Sequence, residues 1–413
     1  MRIHVIGAGL AGLAASWRLA EDGYAVTLYD AAPQAGGRCR SFLDLTLDRV
    51  VDNGGHVLLG ANSAALRLLR ATGGIAAMSE IAPAAFPFHD LSTGETWTLR
   101  PNAGPFPWWI ASAARRVPGS RARDYVTALS LRRAGSEATV ADCLFPSPLT
   151  RRLWEPFAVA VMNAPITQAA AQPLGRALLG TFGLGERGCR AWIAKAGLSA
   201  AFVDPTLKRL TERGAEFRSG WRLARLEIVN GLTAALVFDE EHVTLTDNDR
   251  VVLAVPPSIA ADLLPGLTVP DGSSAIVNAH YRLDRPAILL GGKPLLGLIG
   301  GNGQWLIARD DIVSVTVSGA DALVDRPAND LLDLLWSDVG RALGIDTPRP
   351  AARLIKERRA TFAQTPANQR RRPSSWTRFP NLFLAGDWTD TGLPATIEGA
   401  VRSGLTAATA VTR

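Results

Sequence analysis

The residues of this chain arranged for chemistry lie at its two ends. Near the start, Gly7, Gly9 and Gly12 make a GAGLAG turn between an alternating apolar stretch, 1–6, and an Ala/Leu-rich stretch, 10–20. A second apolar run, 24–29, ends at Asp30, 18 positions after Gly12. In a strand–turn–helix–strand unit, such glycines let backbone approach a pyrophosphate, which then rests on the positive end of the helix dipole, roughly half an elementary charge. The acid closing the second strand accepts hydrogen bonds from a ribose 2′-hydroxyl. Gly36, Gly37 and Arg38 follow shortly after. Their glycines again allow close backbone approach, and the Arg38 fork of donors suits a diphosphate.

The far end carries a complementary set. Gly386 and Asp387 come directly after the apolar run 381–384, where a carboxylate at a strand end can bind a ribityl hydroxyl. Thr396 and Ile397, inside PATIEGA, open a helix whose free N–H groups would face the pyrimidine edge of a flavin and stabilise negative charge on its reduced form. Leu223, in the strand-bearing region 216–229, is taken as a further cofactor contact. The two ends together describe one FAD site.

Positioning these groups requires an α/β fold. We expect a Rossmann-like FAD-binding domain formed by 1–85, 198–270 and 355–413, with an inserted mixed α+β substrate domain from 86–197 and 271–354. Helices are predicted at 63–72, 198–213 and 329–343, with helical periodicity running, interrupted, to about residue 197. Asn230-Gly231 predicts a hairpin turn before a strand at 232–238. Further strands are predicted at 243–245, 250–255, 275–283, 287–290 and 312–318.

Composition narrows the classes. The chain has 413 residues, 47% hydrophobic and 20% charged, enough for a sizeable core. Its net charge of +6 is carried almost wholly by arginine, and no stacking module or basic recognition helix accompanies it, so a nucleic-acid partner is not expected. Cys39, Cys143 and Cys189 are odd in number and widely spaced, which suits a reducing compartment and suggests neither a disulfide framework nor a metal site. The apolar start already encodes the dinucleotide turn and is read as part of the fold rather than as a leader. No apolar run reaches transmembrane length. The expected location is the cytoplasm, peripherally on the cytoplasmic face of the inner membrane.

The GAGLAG, GGR and AGDW…PATIEGA motifs resemble the flavin amine oxidase and phytoene desaturase superfamily. DNGGHVLLG at 52–60, LWEPF at 153–157, 160–165, RATF at 359–362 and AGDWTDTGLPAT at 385–396 narrow this. With them the chain resembles the squalene-associated, FAD-dependent hydroxysqualene dehydroxylases of bacterial hopanoid biosynthesis along essentially its whole length. One departure is Gly55, where the family's D-x-G-Q-H pattern has glutamine. The resemblance implies reductive removal of the hydroxyl of hydroxysqualene to give squalene. An acid protonates the leaving hydroxyl, the allylic carbon–oxygen bond ionises, and reduced flavin N5 gives hydride to the cation. His56 is the first candidate proton donor, because its turn should lie near the isoalloxazine, and Gly55 and His56 are taken as cofactor contacts for the same reason. Glu155, beside Trp154 in an apolar helix, is the second.

No cysteine lies within 385–404, so the FAD should be non-covalent. No second G-x-G-x-x-G suits a nicotinamide, so the electron donor is left open, another protein or a quinol being suitable. A hydrophobic triterpene substrate suits uptake from a bilayer. Phe106, Trp108, Trp109 and Ile110 are the expected lipid contacts, with Arg115, Arg116, Arg121 and Arg123 meeting headgroups. Two rival readings are a carotenoid or diapophytoene desaturase, running the flavin in the opposite direction, and a catalytically silent flavin-binding scaffold that delivers lipid.

Overall fold

A computed structural model describes residues 1–413. The runs Arg2–Ile6, Ala25–Asp30, Arg250–Leu253 and Leu382–Leu384 are almost continuously apolar, as strands covered on both faces must be. They pair in parallel in the order Glu216–Ser219, Ala25–Asp30, Arg2–Ile6, Arg250–Leu253, Leu382–Leu384. The first and last motifs therefore meet on one sheet. Helices Leu10–Glu21 and Ile397–Val411 pack on it side by side, so closely that a Cβ at Gly404 would stand 2.1 Å from the Ala11 carbonyl oxygen. Both helices contribute to one buried cluster with Ile3, Val5, Leu28 and Phe383.

A second, seven-stranded sheet runs in the order Ala352–Phe362, Ser273–Arg282, Ile312–Ser318, Trp305–Arg309, Leu295–Ile299, Phe86–Asp90, Thr96–Leu99. Helix Ala328–Leu343 covers one face, where Val277, Ala279, Tyr281, Val313 and Val315 form the core. The strands' alternate residues, Asn278, His280, Ser314 and Thr316, point to the opposite face. A helical insertion, including Glu155–Met162 and Ala171–Thr181, packs around its own cluster of Trp109, Tyr125, Leu153 and Trp154. The Asn230-Gly231 turn has positive φ at both residues, 51° and 77°, and joins Leu223–Val229 to Leu232–Phe238.

The structure corrects the expected division of the chain at two points. Strand Ala352–Phe362 belongs to the seven-stranded sheet, so 355–362 does not lie in the dinucleotide domain. Its charged sequence, ARLIKERRATF, hides the strand from periodicity because it pairs along its length with Ser273–Arg282. Strand Ala191–Ala194, expected as helical and in the substrate domain, pairs with Leu58–Leu59 and Met78–Ile81 of the first segment. The strand expected at 287–290 is absent; the chain turns there through Leu290–Gly292, with positive φ at Gly291 and Gly292.

Candidate active site

The glycine turn is built by close approach. Strand Arg2–Ile6 ends at Gly7, where φ is 104° and a Cβ would lie 2.5 Å from the Ala254 carbonyl oxygen. At Gly12 a Cβ would lie 1.8 Å from the Gly7 oxygen, whereas at Gly9 it would meet nothing within 4 Å. Two of the glycines are thus demanded by packing, and the third keeps space open before the helix. That helix start has no side-chain cap and no acid in its first turn, so its positive end is uncompensated.

Asp30 spans the same space. Its carboxylate accepts from the Ala8 N–H at 2.6 Å and the Ala32 N–H at 2.8 Å, which locks the turn to the end of the second strand. The Gly36 N–H donates to the Ala8 carbonyl at 2.8 Å, bringing the GGR loop, with positive φ at Gly36 and Gly37, against the same turn. Leu223 packs in a cluster with Tyr29 and Phe238 two residues after Trp221, whose N–H donates to the Asp30 carbonyl at 2.9 Å.

Arg38 and Asp387 face one another. Arg38 Nη2 donates to both carboxylate oxygens at 2.8 Å and Nη1 donates to the Ala360 carbonyl. The adjacent carboxylate pushes the Arg38 pKa up. The sequence assigned these two groups separately, one to a diphosphate and one to a ribityl chain; the structure joins them as a bidentate pair. Thr396 caps helix Ile397–Val411, its hydroxyl accepting from the Gly399 N–H at 3.2 Å, and Ile397 begins the first turn.

Four side chains that sequence reasoning missed hold this end together. Glu398 accepts from the Ala64 and Ala65 N–H groups at the start of helix Ser63–Thr72. Gln364 accepts from the Ala395 N–H at 2.8 Å and donates to the Met162 carbonyl at 2.6 Å. The Ser403 hydroxyl accepts from the Gly386 N–H at 2.9 Å. Arg372 is buried, donating to the carbonyls of Asp387, Thr389 and Leu393 and to the Thr391 hydroxyl. Burial pushes its pKa down, and Asp390 and Asp387 counter this. The only signal for it was a short arginine run before Pro373. Arg372→Met should orphan several buried carbonyls and cost about 3 kcal/mol. Thermal unfolding checks this; an unchanged Tm with full FAD content would show that the loop holds without it.

His56 lies where this cradle meets the second sheet. Its pKa is lowered, first by burial; Asp52 opposes the shift and Arg38 reinforces it. Gly55 donates to Asn278 Oδ1 at 3.2 Å, and a Cβ there would stand 2.7 Å from Thr316 Oγ1. The departure at position 55 thus has a steric account: a side chain would drive into the sheet. Asp52 accepts from Ser41 Oγ at 2.6 Å, the Leu198 N–H at 2.7 Å and Arg309 Nη1 at 2.9 Å.

Glu155 is not among the residues that line the cavity beside His56. It opens helix Glu155–Met162, whose far end at Asn163 docks on the Ser274 carbonyl and Thr361 Oγ1. At 1.5 Å per residue this puts Glu155 about 12 Å along the axis from that docking point. It is half-buried and makes no hydrogen bond or ion pair.

Open space before an uncapped helix, with a cation held near by on Asp387, fits the pyrophosphate of a dinucleotide. A family model described as flavin containing amine oxidoreductase matches residues 10–412, and the chain belongs to that family. FAD is its cofactor. Over 98% of its length the chain is 41% identical to hydroxysqualene dehydroxylase of Sinorhizobium fredii and 43% identical to that of Rhodopseudomonas palustris, covering 97% of each. Within the larger family it belongs with these relatives. A zeta-carotene desaturase of Zea mays, 36% identical, matches over only 18% of this chain and 13% of its own length. The fold is shared with cyclohexylamine oxidase of Brevibacterium oxydans at a TM-score of 0.67 and 15% identity, over 99% of this chain and 98% of that one.

Proposed function

We propose that this protein removes the hydroxyl of hydroxysqualene reductively, giving squalene. The observation that carries the reading is the end-to-end similarity to hydroxysqualene dehydroxylases. FAD, bound and reduced, supplies the hydride. Gly7, Gly9, Gly12, Gly36, Gly37 and Arg38 would hold the diphosphate, Asp30 and Leu223 would flank the nucleotide, and Gly386 and Asp387 would meet the ribityl chain. The dipole at Thr396 and Ile397 favours the anionic reduced form. His56 donates the proton that lets the allylic carbon–oxygen bond ionise. Because burial lowers its pKa, its imidazolium is a stronger acid than usual but a scarcer one at neutral pH, so turnover should rise as pH falls from 7.

An anaerobic single turnover of dithionite-reduced enzyme with hydroxysqualene tests this. Flavin reoxidation matched by squalene is expected, and His56→Gln should slow it by roughly a hundredfold or more at normal flavin content. Flavin that stays reduced, with substrate intact, would turn the assignment toward a desaturase. Undiminished turnover in His56→Gln would remove that residue as the acid.

The substrate's partner surface is a bilayer, approached peripherally on the cytoplasmic face of the inner membrane, with a separate protein or quinol as electron donor. No helix is long and apolar enough to cross a membrane. Of the four apolar residues expected to dip into lipid, Phe106 and Trp108 are 68% and 72% exposed. Trp109 is buried, its ring edge-on to Tyr125 at 5.1 Å, and Ile110 is half-buried against the same cluster. One 3₁₀ turn, Trp108–Ala111, sends neighbouring tryptophans in opposite directions. Arg115, Arg121 and Arg123 are exposed beside them, and Arg116 is partly covered. Phe106→Ser/Trp108→Ser should lower liposome flotation at unchanged Tm; equal flotation would place the contact elsewhere.

A further inference from the structure

A small cavity of about 20 Å³ lies at the seam between the DNGGH loop and the seven-stranded sheet, lined by Asp52, His56, His280, Arg309 and Ser314. One water-sized polar group needs only about 10–15 Å³ of such space, so the cavity is matched to a single hydroxyl or water. Its polar walls are mostly satisfied. Asp52 is held by Ser41, Leu198 and Arg309, and Arg309 Nη2 donates to the Val50 carbonyl at 2.7 Å. Two wall residues differ: His56 makes no side-chain hydrogen bond, and His280, 2% exposed, is only half satisfied. Its Nδ1 pairs with Ser314 Oγ at 2.7 Å, while its buried Nε2 makes no well-formed hydrogen bond, the Asp52 carbonyl being the one neighbouring acceptor and poorly placed for it. A buried imidazole nitrogen without a well-formed hydrogen bond is destabilising, so a partner that reaches it is favoured. Asn278, two residues along the same strand face, ties this wall to the loop by accepting from Gly55 N–H.

The rest of the surroundings is hydrocarbon. Gly55, Ile193, Ala194 and Ile307 complete the cavity wall, and the two isoleucines belong to a cluster with Ile81 and Leu295, against which Val57 and Trp305 pack. A water-sized polar niche on an apolar wall is the negative of an amphiphile with one oxygen on a long hydrocarbon.

Resting on the function proposed above, we propose that this niche receives the hydroxyl of the isoprenoid alcohol, with His280 Nε2 as its hydrogen-bond partner and Ser314 fixing the ring. A hydroxyl both donates and accepts, so it satisfies either tautomer that Ser314 imposes. His280 is then the residue that distinguishes the alcohol from its deoxygenated product, while His56 lines the same niche.

Titration of the oxidised, FAD-loaded enzyme, which cannot turn over, reads this directly through the flavin absorbance. Wild type should bind hydroxysqualene about tenfold more tightly than squalene, the worth of one buried hydrogen bond. His280→Leu should abolish the preference and leave squalene affinity unchanged; Ser314→Ala should reduce it. His280→Gln, which keeps a donor and an acceptor, should retain part of it. An unchanged preference in His280→Leu, or a parallel loss of both affinities, would overturn the proposal. If His280→Leu fails to load FAD, an unchanged preference in Ser314→Ala and His280→Gln overturns it equally. Failure of the functional reading is separate: wild-type enzyme would then give no squalene in the single turnover.

Discussion

Gly12→Val should yield a protein with almost no bound FAD and a lowered Tm. A Cβ at position 12 stands 1.8 Å from the Gly7 carbonyl oxygen, and that oxygen belongs to backbone that cannot swing away. The helix would have to retreat from the sheet, carrying its unpaired N–H groups off the pyrophosphate and opening the contact with helix Ile397–Val411. Overpacking of this kind costs about 1–3 kcal/mol in the fold alone, and displacing the anion site should weaken FAD by a further hundredfold or so, about 2.7 kcal/mol. Gly9→Ala isolates the second effect. Its Cβ meets no protein atom within 4 Å, so apoprotein Tm should hold while FAD affinity falls. Flavin content by absorbance and the Tm of both apoproteins check the pair. A Gly9→Ala protein with wild-type FAD affinity would show that the open space is not where the pyrophosphate sits.

Acidification from pH 7 toward pH 4 should remove much of the fold's stability, and the loss should begin before the carboxylates titrate. His4 and His280 are buried in the folded protein with their pKa values lowered from 6.5 to about 4, in each case chiefly by burial. Between those limits the unfolded chain binds a proton at each site and the folded chain does not, so stability rises with pH across the window and is lost as pH falls through it. At about 1.4 kcal/mol per unit, each site contributes roughly 3 kcal/mol once the pH is below both values. Two such sites approach the whole stability of an ordinary domain, about 5–15 kcal/mol. Asp90, Asp249, Asp311 and Glu186 have lowered pKa values instead; their contributions are full above the ordinary carboxylate range and are lost progressively from about pH 5 downward. Urea unfolding at saturating FAD, repeated from pH 7 to pH 4, should show this slope. His4→Gln, which can keep a bond to the Tyr29 hydroxyl now 3.0 Å from His4 Nδ1, should remove its share of the slope and leave that of His280 and His56. A His4→Gln slope equal to wild type would remove His4 from the account.

Much of the cofactor half was legible because its signals are local. GAGLAG needs only its own strand and helix to become an anion site. Helix Ser63–Thr72 shows its leucine face within ten residues, and Asn230-Gly231 states its own turn. Whole-chain resemblance supplied the family, which the relatives uphold. Burial of individual side chains was not legible in this way. Trp108 and Trp109 are identical residues in sequence yet lie on opposite sides of one turn. Strand Ala352–Phe362 reads as a charged surface segment until its partner is present. His280 and Arg372 carry no motif; each became notable through groups that the fold delivers from elsewhere, Asp52 and the DNGGH loop to one, the 387–393 carbonyls to the other. Chain-local geometry and hydrophobic pattern were enough for the nucleotide unit, the class of cofactor and the kinship. Which polar atoms are left unpaired in the interior depends on desolvation and long-range pairing, and those quantities exist only once distant segments have packed together.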